Sequence, residues 1–326
     1  MTVLVTGGAG YIGSVTVERL VEAGLDVVVL DDLSKGHRAA VDSGVPFVEA
    51  DVEDVTAVRN VLEEHAVDAV IHFAAQSLVG ESMEKPAAYY RSNVVASARL
   101  LEAMAASGVG RIVFSSSAGV YGEPESVPID ELHRTDPVNV YGATKLAFER
   151  ILAWQEERTG LSYISLRYFN AAGASEKYGE DHRPETHLIP LAIRAVARGD
   201  RPLTIFGDDY DTPDGTCIRD YIDVRDLADA HIAALNALGE GRTGVYNLGN
   251  GEGWSVLNVL DAVREVTGRE VPVRVGLRRK GDPARLVASS SLAKSELGWR
   301  PRHAELADMV GAAWRWAERF PDGYPD

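Results

Sequence analysis

Up to about Asn170, short apolar runs alternate with longer stretches whose apolar residues recur every three or four positions. Val3 to Val5, Val27 to Leu30, Phe47 to Glu49, Ala69 to Phe73, Ile112 to Ser115 and Tyr163 to Leu166 lack polar alternation, as strands do when both faces of a sheet are covered. Helical stretches lie between them. Val15 to Ala23 is closed by Gly24, and Val55 to His65 follows the capping residue Asp54. Pro86 to Ser107 opens on proline and is closed by Gly108. Val140 to Arg158 is a further helix. This βαβαβ alternation with short connections predicts an α/β fold built on a doubly wound parallel sheet.

After Asn170 the texture changes. Ala174 to Glu185 is polar and turn-rich, and Asp208 to Gly215 is an acidic loop. Leu188 to Arg198, Asp223 to Leu238, Ser255 to Thr267 and Ala304 to Arg319 carry helical patterns, while Val245 to Leu248 and Val271 to Val275 have strand texture. The expected organisation is a dinucleotide-type domain over residues 1–170 and a smaller C-terminal α/β lobe over 171–326, with segments free to interleave. A ligand would sit in the cleft between the two.

The chain has 326 residues, 45% of them hydrophobic, enough for a core that needs no staple. Its net charge of −16 argues against nucleic acid or an anionic membrane as partner, since the average surface repels a polyanion. The single cysteine, Cys217, excludes an intramolecular disulfide and a Cys-rich zinc site, and no metal is expected. The N-terminus lacks the basic region and long apolar run of a signal peptide, and no stretch approaches the ~20 apolar residues that span a bilayer. The expectation is a soluble cytoplasmic protein.

Gly7, Gly10 and Gly13 follow the first strand and open the first helix. Glycines at this spacing let the backbone turn tightly and approach a pyrophosphate, which rests on the free N–H groups of the helix start. Asp31 ends the second strand, where a carboxylate accepts from the adenine-ribose hydroxyls and repels a 2′-phosphate. NAD rather than NADP is therefore expected, on a Rossmann-type sheet. Without a ligand, the same residues would make only a tight turn and a helix cap. Asp32 and Leu33 adjoin Asp31. Asp51 and Val52 end the third strand, and Phe73, Ala74 and Ala75 end the fourth, next to the switch in strand order where ligands bind.

Tyr141 and Lys145 lie one helical turn apart on one face. Free tyrosine ionises near 10, and a pKa near 7 needs about 4 kcal/mol of differential interaction. A neighbouring ammonium and an oxidised nicotinamide would both favour the phenolate. Ser117, at the end of the fifth strand, is placed to hold or relay a substrate proton, whereas Ser115 reads as structural. The bland alternative makes Tyr141 a cap aromatic and Lys145 a solvated surface residue.

Several runs carry a closer likeness: residues 7–14 (GGAGYIGS), 72–75 (HFAA), 115–122 (SSSAGVYG), 141–145 (YGATK) and 166–170 (LRYFN). They resemble the extended short-chain dehydrogenase/reductase superfamily. Residues 179–190 (GEDHRPETHLIP), 205–210 (IFGDDY), 214–222 (DGTCIRDYI) and 279–284 (RKGDPA) narrow the resemblance to the UDP-glucose 4-epimerase family, nearly end to end.

That resemblance implies a reversible, NAD-dependent exchange of UDP-glucose and UDP-galactose through a transient 4-keto sugar. Tyr141 would take the 4-hydroxyl proton, Lys145 would bind the nicotinamide ribose and tune Tyr141, and Ser117 would bond the reacting hydroxyl. Tyr11, Ile12, Asn93 and Phe169 would join the cofactor site. Asn170, His187, Leu188, Thr204, Ile205, Phe206, Arg219, Arg279 and Asp282 would hold the nucleotide-sugar. Arginine forks suit a diphosphate inside an acidic protein, although Arg219 has Asp220 and Asp223 nearby as alternative partners.

The chain also departs from the family pattern. His187 stands where some members carry Asn, and Ser77 where some carry Lys. Leu286 stands where a bulky aromatic excludes N-acetylated sugars and a small residue admits them. Dehydratases of the superfamily need an acid pair just beyond Ser117, and decarboxylases a Glu at the Gly119 position. Ala118 and Gly119 disfavour both. Epimerases of N-acetylated, pentose or uronate nucleotide-sugars remain alternatives, and a non-catalytic dinucleotide sensor is a remoter one. The resemblance further implies a homodimer through the helices Pro86 to Ser107 and Val140 to Arg158, with Val94, Val95, Leu101 and Ala105 supplying apolar surface.

Overall fold

A computed structural model describes residues 1–199, 201–279 and 282–325. The strands are β1 (Thr2–Thr6), β2 (Asp26–Asp31), β3 (Phe47–Glu49), β4 (Ala69–His72), β5 (Arg111–Ser117), β6 (Ser162–Tyr168), β7 (Asn170–Ala172), β8 (Leu203–Phe206), β9 (Ile218–Arg219), β10 (Tyr221–Asp223), β11 (Gly244–Leu248), β12 (Trp254–Ser255), β13 (Val273–Gly276) and β14 (Arg285–Leu286). Seven of them form one parallel sheet in the order β11-β6-β5-β4-β1-β2-β3. From β1 the chain first builds outward to β2 and β3, then returns to place β4 on the other side. The reversal between β1 and β4 is the switch point at which such sheets open a crevice.

Helices cover both faces. They are α1 (Tyr11–Glu22), α2 (Val55–Glu64), α3 (Val79–Glu84), α4 (Pro86–Tyr90), α5 (Ala96–Ala106), α6 (Val140–Thr159), α7 (Leu188–Arg198), α8 (Val224–Gly239), α9 (Val256–Thr267), α10 (Ser291–Glu296) and α11 (Leu306–Arg319). The two-residue period of the strands sorts their side chains. Val3, Val5, Val27 and Val29 pack with Leu20 of α1 and Leu235 of α8, whereas Leu4, Val28 and Leu30 pack with Leu62 of α2 and Leu100 of α5. Both sets are buried, so polar alternation is absent from these strands.

Local signals fix the helix ends. Asp54 accepts from the N–H groups of Thr56 and Ala57, and Asn139 accepts from Gly142 N at the start of α6. Gly160, Gly199 and Gly268 end α6, α7 and α9 in the left-handed conformation. The expected helix over Pro86 to Ser107 is continuous but passes through a π-helical turn at Arg91–Val95. The first helix begins at Tyr11, not Val15, because its opening turn carries Gly13 and polar Ser14 and its apolar pattern starts only afterwards.

Three segments beyond residue 170 interleave with the first layer. β11 is the edge strand paired with β6, α8 packs against α1, and α10 packs against β11 with Ala293 in the same core. A second core forms where Ile193 of α7, Val259 and Val263 of α9, and Met309 and Val310 of α11 meet. No described helix is long and apolar enough to cross a membrane.

Beneath β5 lies a buried polar network. Arg167 Nε and one terminal nitrogen donate to Glu149 at 2.9 and 2.5 Å, and the other terminal nitrogen donates to Tyr121 Oη at 3.0 Å. Ser116 Oγ donates to the same Glu149 carboxylate at 2.5 Å, and Tyr121 Oη donates to Asn247 of β11 at 2.7 Å. A buried charge stripped of its partner typically costs about 3–5 kcal/mol. Arg167→Met should therefore lower the unfolding free energy by about that amount in a urea titration. A loss below about 1 kcal/mol, typical of an exposed pair, would show that the network does not anchor the sheet.

Candidate active site

The turn from β1 into α1 is packed so closely that only glycine fits. Gly7 has φ +72°, and a Cβ there would lie 2.5 Å from Ala74 N at the end of β4. A Cβ on Gly13 would strike the Gly7 carbonyl oxygen. Gly10 caps α1 without a side chain, and the first turn holds no acidic residue, so its N–H groups face the cleft with no side-chain acceptor. Asp31 is buried at the end of β2, where its two oxygens accept from Ala9 N and Leu33 N, both at 2.9 Å. Burial raises the pKa of this carboxyl, opposed by those two N–H groups. An uncapped helix start with an acid one strand away is a donor–acceptor set that fits the pyrophosphate and ribose of a dinucleotide.

From this turn a cleft of about 1590 Å³ runs between the sheet and the C-terminal segments. A single drug-sized ligand occupies roughly 300–1,000 Å³, so there is room for two molecules end to end. Gly7, Gly10, Tyr11, Ile12, Gly13, Asp31, Asp32, Leu33, Asp51, Val52, Phe73, Ala74, Ala75 and Phe169 all line it. Asn93 does not. It is buried, its amide oxygen accepting from Gln76 N and its nitrogen donating to Gln76 O and Thr144 Oγ1, so it holds the cleft wall from behind.

At the middle of the cleft, Ser117, Tyr141 and Lys145 come together. The approach of α6 to the end of β5 is set by backbone, because a Cβ on Gly142 would collide with the Gly119 carbonyl oxygen. Lys145 is 3% exposed, which excludes a solvated surface lysine. Its Nζ donates to Ser115 O at 2.8 Å and lies 5.8 Å from the Tyr141 ring centre. Burial lowers the Lys145 pKa to about 7, opposed by the Glu149 carboxylate. Burial likewise pushes Tyr141 up to about 12, opposed by a hydrogen bond with Ser117. The expected lowering of Tyr141 by the ammonium is thus not seen in the protein alone. Desolvation dominates at the phenol, and the lysine adds no resolved lowering.

The far end carries Asn170, His187, Leu188, Arg279, Asp282 and Leu286 in its lining. Thr204, Ile205, Phe206 and Arg219 lie outside it. Thr204 accepts from Arg274 Nε at 2.9 Å, Ile205 is buried, and the Phe206 ring sits 4.0 Å beneath the Arg279 guanidinium. Arg219 pairs with Asp282, not with Asp220 or Asp223, and also donates to the carbonyls of Ile218 and Pro283. Lys280 and Gly281 of the 279–284 run lie outside the described residues.

The cleft is also lined by Tyr168, Glu180 and His182, which sequence reading did not single out. Tyr168 shares a 2.5 Å hydrogen bond with Ser115, and burial raises its pKa. Glu180 and His182 lie in the 179–190 run, whose Glu-x-His spacing was the available signal.

The family model described as "NAD dependent epimerase/dehydratase family" matches residues 3–249. The UDP-glucose 4-epimerase of Lactobacillus helveticus is 50% identical over 100% of both chains. Among solved structures, UDP-glucose 4-epimerase from Brucella ovis in complex with NAD is 46% identical, with TM-score 0.94 over 97% of this chain and 98% of that one. UDP-glucose 4-epimerase from Bifidobacterium longum in complex with NAD+ and UDP is 38% identical, with TM-score 0.94 over 99% and 100%. On the family match and on identity that runs the length of the chain, this protein belongs to the NAD dependent epimerase/dehydratase family and, within it, to the UDP-glucose 4-epimerases.

Proposed function

We infer that the protein catalyses the reversible C4 epimerisation of UDP-glucose and UDP-galactose with NAD as its cofactor. The observation that carries this reading is the meeting of Ser117, Tyr141 and Lys145 in the same cleft as the glycine turn and Asp31. NAD, which the glycine turn and Asp31 would hold, would supply reversible hydride transfer and a positively charged ring.

The chain's own residues do the rest. The Tyr141 phenol oxygen takes the 4-hydroxyl proton and later returns it. Ser117, hydrogen-bonded to Tyr141, orients the reacting hydroxyl. Lys145, fixed by its bond to Ser115 O, supplies a donor that a cofactor ribose can share. The 4-keto sugar turns over within the site, so that hydride would return to the opposite face of C4 while Tyr141 returns the proton to the C4 oxygen. Asn93 positions the wall at Gln76 rather than touching a ligand.

Toward the uridine end, Asp282 and the Arg279 guanidinium face the cleft, and Phe206 and Arg219 hold them there. We assign Arg279 to the diphosphate, where a charged fork offsets the net charge of −16. Thr204 and Ile205 support Phe206 through the pairing of β8 with β13. Leu286 lies in register with Arg219 on β14 and takes the position that gates N-acetylated sugars.

A homodimer through the helices Pro86 to Ser107 and Val140 to Arg158 also belongs to this reading, with one change of surface. Leu101 packs into the core, while Val95 and, on α6, Trp154 are exposed at 47% and 62%. The cytoplasm is the compartment we assign, in keeping with a single half-buried free thiol, Cys217.

Incubated with UDP-galactose and no added NAD, the purified protein should form UDP-glucose, and Leu286→Gly should raise the relative use of the N-acetylated pair. Absence of UDP-glucose would overturn the assignment, and unchanged substrate ratios would remove Leu286 as the gate. Tyr141→Phe should retain NAD yet lose about 10³-fold or more in turnover. Turnover within about twofold of wild type would rule Tyr141 out as the base. Light scattering should report twice the chain mass, falling toward one chain for Trp154→Glu. A monomeric wild type would refute the dimer.

A further inference from the structure

The loop before α7 gathers Glu180, His182, Glu185 and His187, with one donor atom from each inside a span of 4.8 Å. His187 Nδ1 lies 2.6 Å from Glu180 Oε1 and 3.2 Å from Glu185 Oε1. His182 Nδ1 lies 3.0 Å from Glu180 Oε1 and 3.8 Å from Glu185 Oε2. Four ligands held about 2.1 Å from a zinc ion in a tetrahedron stand about 3.4 Å apart. The spacings from the imidazoles to Glu180 Oε1 and Glu185 Oε2, between 2.6 and 3.8 Å, lie on either side of that value.

A compact group of acids and imidazoles can be a set of ion pairs and nothing more. Two observations point further. The Glu185 side chain is 1% exposed and its Oε2 has no hydrogen-bond partner among the described residues, although that atom lies 3.8 Å from His182 Nδ1. Its other oxygen is pinned by Thr186 N at 2.7 Å and His187 N at 2.8 Å, so the carboxylate cannot turn to relieve the orphan. An ion-pair cluster leaves this buried lone pair unused, whereas a cation would use it. The loop is also held in advance of any ligand, because Gly179 N donates to Tyr324 Oη and Asp181 accepts from Tyr324 N, both at 3.0 Å.

We propose that Glu180, His182, Glu185 and His187 form a binding site for a divalent transition metal of the zinc class. Two imidazole nitrogens and two carboxylate oxygens suit Zn²⁺ better than Mg²⁺ or Ca²⁺, which take oxygen ligands at higher coordination number. The site lies in the cleft wall beside Leu188, so a bound ion would fix the loop that leads into α7. His187 would bind through Nδ1 and keep Nε2 for another partner.

The test uses the full chain, stripped with a chelator, exchanged into metal-free buffer and titrated calorimetrically with zinc chloride alone. Wild type should take up one tight equivalent and gain thermal stability. Glu185→Gln and, separately, His182→Asn should each weaken uptake by more than about 100-fold, beyond the roughly 10–100-fold that loss of an outer-shell partner costs. His182 is partly exposed, so its variant keeps the test open if the buried change fails to fold. No stoichiometric zinc uptake by wild type, or equal uptake by wild type and the His182 variant, would overturn the proposal. Uptake of magnesium or calcium in preference to zinc would overturn the assigned metal class.

Discussion

The reacting centre depends on a contact between two backbones. Gly142, in the first turn of α6, lies against the Gly119 carbonyl just past β5, and no side chain fits between them. That approach brings Tyr141 to Ser117 and sets Lys145, one turn on, within reach of the Ser115 carbonyl. A methyl group at the seam would push the helix outward and separate the three. Another turn along α6, Glu149 is clamped by Arg167 and Ser116, so the helix is fastened to the sheet by charge below the place where it touches by backbone.

Burial then sets the electrostatics of the cleft. It disfavours the phenolate of Tyr141 and the ammonium of Lys145 alike, holding them at about 12 and about 7. Neither group is poised by the other in the protein alone. On the proposed reading, in which Tyr141 is the base, the chain supplies a buried, closely placed pair and a bound nicotinamide would add the positive charge that favours the phenolate.

Much of this was legible in the residues, and the gaps have physical causes. Strand positions were readable because residues such as Val3, Leu4 and Val5 are apolar on both faces of a covered sheet. The glycine turn, Asp31 and the Tyr141–Lys145 spacing were readable because each is local. What escaped depends on distant pairings. Nothing in Val245 to Leu248 says that this strand joins β6 rather than the later segments. Asn93 looked like a ligand contact, but its amide is used up on Gln76 and Thr144. Arg219 was expected to face phosphate or its sequence neighbours, yet it meets Asp282, far along the chain. The cluster in the 179–190 loop was missed because a cysteine count is silent about nitrogen and oxygen donors.

The placement of β11 also matters while the chain is being made. As the polypeptide leaves the ribosome, β6 emerges with one edge unpaired and stays so until Gly244 to Leu248 has been synthesised. The Tyr121–Asn247 bond is the part of the Arg167 network that waits for it, since Ser116, Glu149, Tyr121 and Arg167 have all been made by then. A nascent chain stalled in this interval presents an open parallel edge rich in apolar residues, the kind of surface that chaperones bind and that aggregates when they do not. The parallel sheet therefore gains its last strand only after residues 171–243 have been made.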